Sequence, residues 1–124
     1  MSAASPSGGD AAHAPLLGRM AQEGETALAV LTVAGTAAAL GGAGALAVSA
    51  QRLWLAQPQL LGGPAVASVP VASVGDVRAR PVRFPRGAQR LEVVVDGRPL
   101  RFTTRAEPGA VDEFVRALEA ARGR

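Results

Sequence analysis

The chain has 124 residues, a formal net charge of +3, and 48% hydrophobic residues, enough for one domain around a single core. It contains no Cys, which excludes disulfides, thiolate catalysis and Cys-based metal sites. All 13 basic residues are Arg, so a P-loop, which needs Lys, is excluded as well.

Met1 to Pro15, "MSAASPSGGDAAHAP", is built from Ser, Ala, Gly and Pro without apolar periodicity. Residues 1–20 are expected to form a disordered tail, with the domain spanning 21–124. The tail has neither a basic start nor a compact apolar block ending in a cleavage site, so a signal peptide is not expected. The reading is a cytoplasmic protein, with peripheral membrane contact left open. His13, the single histidine, falls in this tail, and one imidazole does not make a metal site, which needs several converging donors.

Ala27 to Ala50 is the ambiguous segment. Its 24 residues carry no charge and are long enough to cross a bilayer as a helix. Only seven of them are Leu or Val, which supply roughly −2 to −4 kcal/mol of insertion energy. Gly at 41, 42 and 44 would each cost about 1 kcal/mol inside a helix. Two strands, Thr26–Val33 and Ala45–Ala56, joined by the Gly-rich 35–44 segment, account for the same residues better. In the second strand, Leu46, Val48, Ala50 and Trp54 are expected on one face, with Ser49 and Gln51 opposite. Trp54, the only Trp, suits the core, or a rim where it would meet a ligand or membrane surface. Gly42 to Ala47 also matches a dinucleotide fingerprint ending in Ala, but a strand-like segment follows it and no acidic residue lies about 20 positions on.

Ala65 to Phe84 is rich in Val and is bent by Pro70. Asp96-Gly97 is a two-residue hairpin turn between Leu91–Val95 and Leu100–Thr103. Val111, Phe114, Val115 and Leu118 fall at helical spacing after Pro108 and before Gly123, giving an amphipathic helix of about 13 residues. Phe84, Phe102 and Phe114 occupy core-compatible positions. Six strands can be placed in all.

The order of these segments is similar to that of the small bacterial pleckstrin-homology-like domains, over residues 23–122. The likeness rests on Gly24-Glu25 opening the first strand, on Ser49, Arg52 and Leu53 within Leu46–Leu55, and on Val69-Pro70-Val71-Ala72-Ser73-Val74 with Val77. The hairpin and the helix bearing Phe114 and Leu118 complete it. Ala50 stands where an acidic residue is common in the family. The resemblance implies a mainly β fold with one C-terminal helix: a strongly bent antiparallel sheet, a partly open barrel of seven strands, capped by the helix. It also implies a non-catalytic module that binds lipid headgroups or proteins. Phosphoinositide recognition in that family uses basic residues in the loop between the first two strands, and 35–44 carries none here.

Charge is concentrated elsewhere. Between Asp76 and Arg105 lie Arg78, Arg80, Arg83, Arg86, Arg90, Arg98, Arg101 and Arg105, against Asp76, Glu92 and Asp96. These eight arginines are the candidate surface for a protein partner or an anionic membrane. The alternative for them is a solvated, Arg-rich face without a ligand. Specific nucleic-acid binding is not expected, because aromatics are not interleaved with the Arg, and a small-molecule substrate is not expected either. No nucleophile–base pair is available: Glu23 with Glu25 and Asp112 with Glu113 are read as structural carboxylates. The chain is therefore read as a binding or adaptor module without cofactor. The competing reading is a single-pass membrane protein with a helix at 27–50 and an Arg-rich cytoplasmic domain.

Overall fold

The computed structural model describes residues 13–35, 44–57, 65–82 and 87–123. Helix α1 (His13–Gln22) leads into β1 (Ala29–Gly35), β2 (Gly44–Val48), β3 (Arg52–Gln57) and β4 (Ala65–Pro70). A 3-10 turn (Val71–Ser73) then precedes β5 (Val74–Pro81), β6 (Gln89–Val95), β7 (Arg98–Thr104) and α2 (Pro108–Arg122). The strands form one antiparallel sheet in the order β4-β3-β2-β1-β7-β6-β5. It is mainly β, bent and not closed into a barrel, and α2 caps it.

The bend passes through β1. Its residues from Ala29 to Val33 pair with β2, whereas Ala34 and Gly35 pair with Thr103 and Phe102 of β7. The two halves of the sheet thus meet along one strand. The 3-10 turn ties the outer strands together at a corner: Val71 N–H donates to Gln51 O at 3.0 Å, and Asp96 N–H donates to Ser73 O at 2.9 Å. Pro70 ends β4, as its missing N–H requires, and so bends the Val-rich segment where expected.

The concave face holds the main core: Leu31, Val33, Leu46, Val48, Leu53, Val77, Leu91, Val93 and Phe102. Into its end α2 inserts Val111, Phe114, Leu118 and Ala121. Pro108 lies in the first turn of α2, where its missing N–H has no cost, and Gly123 caps the far end through its N–H to Glu119 O.

Ala27–Ala50 does not form a membrane helix. Ala29–Val33 and Gly44–Val48 pair residue by residue as antiparallel strands, and no helix among the described residues is long and apolar enough to cross a membrane. The connection, 36–43, lies outside the described residues. Gly44 opens β2 because its neighbour leaves no room: a Cβ there would stand 2.6 Å from Ala56 O. It opens a strand and not a helix, so the geometry of a dinucleotide fingerprint is not formed.

Three expectations are corrected. Residues 13–20, read as tail, belong to α1, which buries Leu16 and Met20 against Ala45, Ala47, Trp54 and Ala56 on the convex face. Residues 1–12 lie outside the described residues. Ala45–Ala56, read as one strand, is the hairpin β2–β3, which raises the strand count from six to seven. The hairpin also inverts part of the facing: Leu46 and Val48 point into the main core, Trp54 faces α1, and Ala50 is exposed in the turn. Ser49 makes this turn without Gly or Pro. Its Oγ accepts the N–H groups of Gln51 (3.1 Å) and Arg52 (3.0 Å), the local side-chain closure that hydroxyl residues provide.

The Asp96-Gly97 turn forms as expected, with φ of +51° and +80° at its two residues. Gly97→Val would hold a β-branched residue at positive φ and is expected to cost on the order of 1–3 kcal/mol, read as a lower urea midpoint. An unchanged midpoint would place the turn elsewhere.

Candidate functional site

Alternation in β5, β6 and β7 divides their residues cleanly. Val77, Leu91, Val93 and Phe102 enter the core, so their neighbours must face outward. A bulge between Val74 and Asp76 resets β5 so that Asp76, Arg78 and Arg80 share the outer face. The register then aligns three rows across the face: Asp76–Val94–Pro99, Arg78–Glu92–Arg101 and Arg80–Arg90–Thr103.

Arg78, Arg80, Arg90 and Arg101 thus converge with Glu92 on a groove of about 390 Å³. Two of the four arginines are ion-paired there: Arg78 Nε to Asp76 Oδ2 at 3.0 Å, and Arg101 Nε to Glu92 Oε2 at 2.9 Å. These pairs are solvated and contribute at most about 1 kcal/mol each, so both guanidinium groups remain exchangeable toward another anion. Arg80 and Arg90 stand directly opposite one another, and neither has an ion-pair partner among the described residues. Like charges in this relation oppose sheet pairing.

Of the other candidates, Arg98 sits at the tip of the β6–β7 hairpin opposite Val95, and Arg105 follows the end of β7, both exposed and outside the groove. Arg83 and Arg86, with Phe84, lie outside the described residues. Glu92 and Thr103 were not among the candidates, although a two-residue Asp96-Gly97 turn already implies that 92 faces 101 and 90 faces 103.

The other half of the convex face is closed. α1 lies over β2 and β3, and Trp54 beneath it is only 2% exposed, so Trp54 serves the core and not a rim. His13 Nε2 lies 2.9 Å from Thr32 Oγ1 at the start of α1. Glu25 receives Trp54 Nε1–H at 2.9 Å, which makes it a structural carboxylate as expected. Among the described residues no group of three or more His, Asp or Glu could hold a metal ion.

No protein-family model matches this sequence. No curated protein matches it. Among solved structures, the C-terminal domain of an unknown protein from Leishmania infantum is similar, with 18% identity over 84% of this chain and 90% of that one, and a TM-score of 0.56. At that identity the likeness is one of fold.

Proposed function

We propose that the chain is a non-catalytic binding module of the pleckstrin-homology-like class, engaging a protein partner or an anionic surface through the outer face of β5, β6 and β7. The observation that carries this reading is the convergence of Arg78, Arg80, Arg90 and Arg101 on one exposed sheet face, while α1 lies over β2 and β3 on the other half of the sheet. Four guanidinium groups against Glu92 and Asp76 leave a positive face, which attracts acidic partners and raises their rate of encounter.

The first test uses the full chain with two probes, poly-glutamate and phosphatidylserine vesicles. Binding to at least one is expected, fading as ionic strength rises because exposed charges are screened over about 8 Å at physiological salt. A variant with Arg78, Arg80, Arg90 and Arg101 all changed to Gln should lose most of that binding while keeping its circular dichroism spectrum. Failure to bind either probe at low salt, or unchanged binding by the folded variant, would overturn the proposal.

A further inference from the structure

We propose that Arg80 and Arg90 form a discrete site for a phosphate monoester. The inference rests on reading the arginine face as a binding surface, and it names the chemistry at the centre of that face.

The pair differs from every other arginine in the groove. Arg78 and Arg101 already hold carboxylates, whereas Arg80 and Arg90 hold none among the described residues. Strand register fixes their backbones opposite each other, and both line the same groove. In an antiparallel pair, opposed Cβ atoms lie about 4.5–5.5 Å apart, so two planar forks can close on one small anion. A phosphate monoester fits this arrangement in charge and in shape. It is a dianion near neutral pH, with three acceptor oxygens against paired N–H donors. A carboxylate, with one charge, can bridge the two forks but neutralises only one of them, whereas the phosphate dianion neutralises both.

The surroundings favour a single phosphate over a bilayer. Glu92 lines the same groove and Asp76 stands on the same face, so a flat anionic surface would meet two carboxylates with the arginines. Among the described residues, the large hydrophobic residues that are exposed, Leu17, Leu28 and Leu100, belong to other surfaces: α1, the approach to β1, and the inward side of β7. None of these three stands beside Arg80 and Arg90 to insert among acyl chains.

The test is a titration of the isotope-labelled full chain with O-phosphoserine, followed through the Arg Nε–Hε signals, with acetate at matched ionic strength as control. Saturable shifts at Arg80 and Arg90 are expected with O-phosphoserine and not with acetate. R80Q and R90Q should each weaken binding at least tenfold, and R98Q should leave it unchanged. The two glutamine variants should melt no lower than the native chain, since each removes a repulsion. A second arm adds vesicles containing phosphatidic acid, and separates a lipid phosphate from a free monoester by which probe the R80Q and R90Q variants lose. Shifts that never saturate, that follow ionic strength alone, or that spread equally to Arg78, Arg98 and Arg101 would overturn the site. Those results would leave the broader anionic face standing if poly-glutamate binding still required the four arginines. Lower melting of R80Q and R90Q would mark the pair as structural and overturn the site too.

Discussion

Phe114→Ala is expected to abolish cooperative folding, or to lower stability by about 3–5 kcal/mol, the range for removing a fully buried aromatic ring. Phe114 is completely buried and is the largest such side chain among the described residues. It projects from α2 between Val111 and Leu118, and α2 packs on β1, β2 and β5, which belong to both halves of the bent sheet. The ring therefore fills the space that the bend creates, and no single strand can move inward to replace it. Small domains hold only about 5–15 kcal/mol in total, so a loss of this size brings the chain near its unfolding threshold. Urea denaturation followed by circular dichroism gives the answer, with the exposed Arg116→Ala as a control expected to change little. A native-like midpoint for Phe114→Ala would mean that α2 is an appendage and does not close the core.

The parts of the fold written in strong local patterns were legible before the structure. The period-3.6 spacing of Val111, Phe114 and Leu118 gave α2, and Asp96-Gly97 with alternating neighbours gave β6–β7. What escaped lacked such marks. The β2–β3 turn at Ser49-Ala50-Gln51 contains neither Gly nor Pro, and it is closed by one hydroxyl acting locally, so a continuous strand was the natural reading. Helix α1 buries only Leu16 and Met20, one i,i+4 pair, within a Pro- and Gly-containing stretch that resembles a tail. Its docking depends on Ala45, Ala47 and Ala56, whose small size admits a helix, and small residues carry no signature of that role.

The candidate site was legible as a cluster and not as a geometry. The excess of Arg between 78 and 105 was plain, and the Asp96-Gly97 turn was enough to set Glu92 against Arg101. Setting Arg80 against Arg90 needed more. It depends on the bulge between Val74 and Asp76, which shifts the face that β5 presents, and a bulge at Gly75 is one of several places where the strand could bend. Without that shift the sequence could not separate the opposed pair from Arg98 and Arg105.

Glu25→Ala is expected to cost about 2–4 kcal/mol and to shift the fluorescence of Trp54 to the red. Glu25 follows Gly24, whose φ of +75° turns the chain out of α1, and its side chain is only 7% exposed. One carboxylate oxygen accepts both Trp54 Nε1–H at 2.9 Å and Ser49 Oγ–H at 2.5 Å. The other lies 3.4 Å from Arg52 Nε, and the Arg52 guanidinium stands 5.6 Å from the Trp54 ring centroid. A single residue therefore links the exit from α1, the Ser49 turn of the β2–β3 hairpin, and the one indole under the helix. Truncation leaves a buried indole N–H and a buried hydroxyl without that acceptor, and each orphan costs about 1–3 kcal/mol. The Arg52 pair adds less, because Arg52 is 41% exposed and water replaces its partner. Glu25→Gln separates the two contributions: its amide oxygen can still accept from Trp54 and Ser49, but its charge is gone. If hydrogen bonding to the buried groups dominates, Gln should retain most of the stability that Ala loses, and Trp54 emission should stay native. Equal losses for Gln and Ala would instead assign the stabilisation to the charge facing Arg52. A native midpoint for Glu25→Ala would show that α1 and the hairpin are held by apolar packing of Leu16 and Met20 alone.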